Sequence, residues 1–204
     1  MSGAGIMDCK NALVESNGDF DLAIEILRKK GQKVAAKRAE RESSEGAVIA
    51  KVDSDCQNGV IISLNCETDF VAKNDGFISL ANELADLALN SNSIEEFLNS
   101  TIDSMTVSEK LVQQTGVIGE KLVVGNFEKL SAAYVGKYIH AGNKIATLSG
   151  FSGSSNGIEE IAKNVAMQAA AMNPIALDEN GVDKSTIDKE IEIAKDQLRQ
   201  EGKP

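Results

Sequence analysis

The chain has 204 residues, 42% of them hydrophobic and 25% charged, an ordinary globular composition with enough apolar residues for more than one small core. The balance of 21 basic against 31 acidic residues leaves a net charge of −10, which repels a phosphate backbone, argues against nucleic acid as the main partner and suits a protein with a basic or neutral contact surface. Cys9, Cys56 and Cys66 are far apart and form no CxxC pair, no apolar run approaches the roughly 18 residues of a membrane span, and Met1-Ser2-Gly3 has no signal-peptide character, so the composition predicts reduced thiols in a soluble, cytoplasmic chain with no disulfide framework and no metal.

Apolar residues recur at helical spacing over residues 7–16 and 19–30, with Asn17-Gly18 turning between them and Gly31 as the expected stop. Two helices alone bury little, and Gly3-Ala4-Gly5 reads as an interhelix turn, so a preceding helix is expected. Residues 32–44 are charge-dense, with Lys33, Lys37, Arg38 and Arg41 against Glu40 and Glu42, and read as a solvated helical linker. At Ala47 the period changes to two: Val48, Ala50 and Val52 alternate with polar residues, Asn58-Gly59 signals a hairpin, and residues 60–64 form the return strand. A long helix follows with Phe77, Leu80, Ala81, Leu84, Ala85, Leu87 and Ala88 on its apolar side, then shorter helices over 94–99 and 107–115. The pattern then recurs in outline, with strands at 121–127, 132–139 and 144–149 and a helix over 158–172 that Pro174 ends. Two successive sheet-plus-helix units imply an α+β fold with antiparallel sheets. A charged helix over 184–201 carries a thin apolar stripe of Ile187, Ile191, Ala194 and Leu198, which suits one arm of a helical hairpin.

Catalytic groups are scarce. His140 is the only histidine, and there is no GxSxG, no Walker lysine loop and no dinucleotide fingerprint. The glycine-rich run from Gly150 to Gly157 lacks the lysine and threonine that would hold a nucleotide, so neither a cofactor nor direct nucleotide binding is predicted. Acidic residues lie along solvated helix faces and none forms a marked pair for acid-base work. One stretch stands apart, Asn65-Cys66-Glu67-Thr68-Asp69-Phe70-Val71-Ala72-Lys73-Asn74, between the second strand and the long helix. Pattern alone lets Thr68 or Asp69 cap a helix with Phe70 packed beneath it.

The segment from Cys66 to Asn74 resembles the signature of the elongation factor Ts family, and Gly3-Ala4-Gly5-Ile6-Met7-Asp8-Cys9-Lys10-Asn11-Ala12-Leu13 resembles the family's other, N-terminal signature. Further likeness runs through Tyr138-Ile139-His140-Ala141-Gly142-Asn143 and from Ile161 to Pro174, so the resemblance covers essentially the whole chain; Leu64 stands where the family often has an acidic residue. It implies a guanine-nucleotide exchange factor for elongation factor Tu, not an enzyme, with a ubiquitin-associated-like helical module at 1–31, a linker at 32–46, a core subdomain at 47–128, and a second at 129–204 carrying the first arm of a helical hairpin. It also implies a chain cut at both ends. By position, the contacts with the GTPase fall on Thr68, Asp69, Phe70 and Val71, whose turn enters near the magnesium and nucleotide site, on His140 in a tight turn, and on Ile6 and Met7. Without the resemblance, His140 reads first as a structural turn residue, and Ile6 and Met7 are equally hairpin core. A homodimer stays open. An interaction adaptor built on the N-terminal helices would have no need of the Thr68-Asp69-Phe70 turn, and a carboxylate enzyme would need a deep acidic pocket in the sheet domain.

Overall fold

The computed structural model describes residues 4–202, so Gly3 of the expected opening turn, and Lys203 and Pro204, lie outside it. The chain divides into two compact units, one ending at Ala170 and the other beginning at Ala171.

In the first unit, α1 (Ile6–Glu15) and α2 (Phe20–Arg38) are joined by a turn in which Asn17 and Gly18 take left-handed backbone angles, φ 53° and 85°. The Asp19 carboxylate caps α2 by accepting from the Leu22 N–H at 3.0 Å. Spacing predicts a stop at Gly31, but α2 runs through it to Arg38. The reason is tertiary: Gly31 lies against Gly116 of α6 (Val107–Ile118), where a Cβ on Gly116 would sit 2.4 Å from the Gly31 Cα. The close helix approach is permitted by Gly116, and Gly31, facing it inside α2, does not end the helix. A left-handed glycine does end α6, Gly119 with φ 83°, and the start of that helix is held by a Thr106–Glu109 capping box.

Strand β1 (Glu45–Val52) pairs antiparallel with β2 (Asn58–Cys66), which pairs antiparallel with β5 (Val123–Ser131). Between β2 and β5 lie α3 (Asp69–Ala72), α4 (Asp75–Ala88), α5 (Ile94–Asn99), the short strands β3 (Thr101–Ile102) and β4 (Met105–Thr106), and α6. A separate hairpin follows, β6 (Tyr134–Ile139) with β7 (Ala146–Phe151), then α7 (Ile158–Met172). The three strands that recur in outline in the sequence thus divide between two sheets, the first of them completing the sheet of β1 and β2. Asn58-Gly59 is not the β1–β2 turn. Residues 53–57 form the turn, closed by the Asp53 carboxylate, which accepts from the Gln57 N–H at 2.8 Å and the Asn58 Nδ2 at 2.7 Å. Gly59 lies inside β2, where a Cβ would meet Val135 Cγ1 at 2.9 Å, so its role is to admit β6.

Alternation along β2 builds the core. Val60, Ile62, Leu64 and Cys66 are buried in one cluster with Phe77, Ala81, Leu84 and Ala85 of α4 and with Phe97, whose ring stacks on Phe127 at a centroid distance of 5.8 Å. The opposite face of the sheet, the Gly59 side, receives the β6–β7 hairpin. Ala162 and Ala166 of α7 are buried over that hairpin, whose Thr147 and Ser149 hydroxyls donate to their carbonyls at 2.6 and 3.1 Å. The architecture is α+β and every sheet pairing among the described residues is antiparallel. The second unit holds a 3-10 turn (Glu179–Gly181) and α8 (Lys184–Gln200), a helix with no buried residue.

Candidate functional site

Strand β2 ends at Cys66, and the chain must leave the sheet before α4 begins. Thr68 makes that possible. Its hydroxyl oxygen caps the one-turn helix α3, accepting from the Val71 N–H at 3.5 Å. The expected cap is therefore present, but Phe70 does not pack beneath it. Val71 and Ala72 face the core, while the Phe70 ring projects outward and is 82% exposed. Beside it the Asp69 carboxylate accepts from Lys73 Nζ at 2.6 Å, and this bond holds its pKa below the ordinary value, so the group is charged at neutral pH.

The base of the turn is fastened by two carboxylates that clasp each other's backbone. Glu120, one residue past the Gly119 cap, accepts the Glu67 N–H at 3.1 Å and the Thr68 N–H at 3.0 Å on one oxygen and the Thr68 hydroxyl at 2.6 Å on the other. In return Glu67 accepts the Lys121 N–H at 2.7 Å, and Arg38 Nη1 donates to both Glu67 oxygens at 2.9 and 2.8 Å. The Lys121 N–H first, and Arg38 with it, hold the Glu67 pKa below the ordinary carboxylate value. Lys121 Nζ also donates to the Arg41 carbonyl at 3.1 Å. Sequence reasoning counts Arg38 and Arg41 only as linker charges and passes over Glu120. No local signal marks a carboxylate that acts on a turn 52 residues earlier.

His140 occupies the turn between β6 and β7, where Gly142 and Asn143 take φ 87° and 56°. Its N–H donates to the Ile145 carbonyl at 2.8 Å, and its exposed ring holds Nδ1 2.9 Å from the Tyr138 hydroxyl. The turn is pinned to the start of β1: Val48 donates to the Asn143 carbonyl at 2.8 Å, and Lys144 pairs with Glu45. Glu45 is in register with Cys66, two residues before Thr68, and the positive charge of Lys144 contributes to holding the Asp69 pKa down. The structure therefore gathers the Thr68–Val71 turn and the His140 turn at one end of β1. Ile6 and Met7 stand elsewhere, on α1, which packs on α2 as α2 packs on α6. Both are solvent-facing, 88% and 62% exposed, and the buried residue of α1 is Ala12.

A groove of about 660 Å³ between α2 and α6 contains one carboxylate, Glu109, already engaged in the capping box of α6, and so offers no acid-base pair. Among the described residues no cluster of His, Cys, Asp and Glu has the arrangement of a metal site, and no helix is long and apolar enough to cross a membrane.

These features define a class: an α+β protein whose exposed Phe70 and His140 stand on braced turns and not inside a cavity. Residues 67–204 match the family model described as Elongation factor TS. The whole chain is 68% identical over 203 residues to elongation factor Ts of Christiangramia forsetii and 67% identical over 204 residues to that of Flavobacterium psychrophilum, covering 74% of each relative's length. It is 48% identical over 207 residues to elongation factor Ts of Amoebophilus asiaticus, again along its full length and 75% of the relative's. The chain belongs to the elongation factor Ts family.

Proposed function

We propose that this chain promotes release of GDP from elongation factor Tu during translation elongation, itself binding no nucleotide and forming no covalent bond. The observation that carries this reading is Phe70, a large apolar ring 82% exposed on a turn whose base is tied by three hydrogen bonds to one carboxylate. Exchange is a coupling problem. A factor that binds the empty GTPase more tightly than the loaded one weakens nucleotide binding by the same factor. A ring that is exposed in the free chain has apolar area to bury in a partner, and burying a Phe contributes roughly 1.5–3 kcal/mol. Inserted near the magnesium and nucleotide site, that energy can hold apart the elements that position the metal and phosphates. Asp69, charged beside the ring, supplies a hydrogen-bond acceptor or a charge that repels phosphate. In this proposal Thr68 and Val71 hold the turn, His140 makes a second contact from the neighbouring turn, and Ile6 and Met7 make a third from α1.

The test is release of labelled GDP from elongation factor Tu, with the unaltered chain and with Phe70→Ala, beside thermal unfolding of each. Truncating a buried interface aromatic costs about 2 kcal/mol, roughly a thirtyfold slowing, while the melting temperature of the free chain should hardly move because Phe70 is largely exposed there. Full exchange activity in a folded Phe70→Ala chain would sink the wedge reading, as would a large fall in its melting temperature.

A further inference from the structure

We infer that Glu120 is a positioning residue for the exchange reaction, acting through the orientation of Phe70 without touching the partner. The inference rests on the wedge reading above and adds a residue to it. Helix α3 has only 4 residues and Phe70 is 82% exposed, so neither a long helix nor packing around the ring fixes where it points. Val71 and Ala72 anchor the far side of the turn in the core, and its near side is set at the base, where three donors, the Glu67 and Thr68 N–H groups and the Thr68 hydroxyl, converge on the two oxygens of Glu120. Glu120 is fixed in turn. It follows the left-handed Gly119 directly, and its neighbour Lys121 is held through its backbone N–H by Glu67, which Arg38 grips from α2. The result is a reciprocal clasp between segments 52 to 54 residues apart.

Removing the Glu120 carboxylate releases all three donors to water, and the turn then samples several orientations of Phe70. A partner that needs one of them sees its binding-competent population reduced in proportion. Side-chain chemistry separates this role from a general need for charge. Glu120→Gln keeps an amide oxygen for the two N–H groups, and its NH₂ can donate to Thr68 Oγ1, which reverses direction and accepts. Glu120→Asp keeps the charge but falls one methylene short.

The experiment measures GDP release from elongation factor Tu with Glu120→Ala, Glu120→Gln, Glu120→Asp, Phe70→Ala and the Glu120→Ala/Phe70→Ala double variant. Amide hydrogen exchange at Glu67 and Thr68 in the free chains accompanies it. Glu120→Ala and Glu120→Asp should slow exchange about tenfold and lose amide protection at both positions, while Glu120→Gln stays within about twofold of the unaltered chain. In the Phe70→Ala background, Glu120→Ala should add little, because the group being aimed has gone. Normal exchange activity in folded Glu120→Ala or Glu120→Asp, or full additivity in the double variant, would overturn the positioning role while a slow Phe70→Ala leaves the wedge standing. A fully active Phe70→Ala would fell the wedge itself, with amide protection still reporting whether Glu120 orders the turn. If Glu120→Ala does not fold, the Gln and Asp pair decides.

Discussion

Two glycines that face each other across α2 and α6 should respond with opposite sign to the same change. A Cβ built on Gly31 meets nothing closer than the Gly116 Cα at 3.6 Å, an ordinary contact, and its backbone angle is helical. Alanine there removes the entropic cost of a mid-helix glycine, about 0.5–1 kcal/mol, so Gly31→Ala should be neutral to stabilising. A Cβ on Gly116 would lie 2.4 Å from the Gly31 Cα, with the Gly31 carbonyl carbon at 3.3 Å. Backbone cannot rotate aside as a side chain can, so the helices must part by roughly 1 Å to restore van der Waals distance. Overpacking of this kind costs about 1–3 kcal/mol, here at the upper end, and the propensity gain offsets about 1 kcal/mol of it. Gly116→Ala should therefore destabilise by about 2 kcal/mol, and at about 2–4 °C per kcal/mol for a chain of this size its midpoint should fall by about 4–8 °C. Thermal and urea unfolding of both single variants measure the difference. Equal effects of the same sign, or a Gly116→Ala chain as stable as the unaltered one, would refute the claim that backbone contact sets this packing.

Three further outcomes follow from contacts on the other elements. Cys66 is buried, and burial first, with the nearby Glu120 charge, pushes its thiol up from an ordinary 9.0 to about 11. The folded chain then holds its proton where the unfolded chain loses it, so this stability is full below pH 9.0 and drains away as pH rises toward about 11; alkylation kinetics should show Cys66 reacting only on unfolding. Glu67 behaves oppositely. Its pKa is held below the ordinary 4.5, so its contribution is present above that pH and is lost as pH falls through the folded value, and Glu67→Gln should flatten the acid limb of stability in acid unfolding scans. A Cβ on Gly136 would lie 2.6 Å from Ala162 Cβ and 2.8 Å from its carbonyl, so Gly136→Ala should lift α7 off the β6–β7 hairpin and cost about 2–3 kcal/mol in urea unfolding.

The fold was legible wherever a local period carried it. Phe77, Leu80, Ala81, Leu84, Ala85 and Ala88 recur at helical spacing because that set faces one core, whereas the alternation of Val48, Ala50 and Val52 marks β1 as a strand but not its core face, which carries Ala47 and Ile49. Asn17-Gly18 was legible as a turn because its backbone angles favour those residues. Gly31, Gly59 and the division of the later strands between two sheets were not, because a glycine placed against a distant element has the same local appearance as one that ends a helix or turns a hairpin. The site divides in the same way. The family resemblance drew attention to Phe70, Asp69 and His140, and pattern alone offered Thr68 or Asp69 as the cap, of which Thr68 is the one. The exposure of Phe70 could not be read, since an aromatic two residues after a cap is as suited to the core as to solvent. Glu120 left no trace at all, because what makes it matter is the separation of 52 residues that the fold closes.

That closure gives α6 two tasks at once. Its length lies against α2 at Gly116, and its C-terminal end, through the left-handed Gly119, delivers Glu120 to the base of the Phe70 turn. Helix α2 meets the same assembly twice, at Gly31 along its length and at Arg38 at its end, where the guanidinium grips Glu67. A shift of α2 relative to α6 therefore cannot be absorbed by the helices alone. It must strain the Arg38–Glu67 pair or pull on the clasp with Glu120, and either way it reaches the two residues preceding Asp69. The exposed Ile6 and Met7 ride on α1, which packs on α2. A partner that engages α1 and the Phe70 turn together would thus touch two ends of one run of packed elements, whose last links are the Arg38–Glu67 pair and the Glu120 clasp.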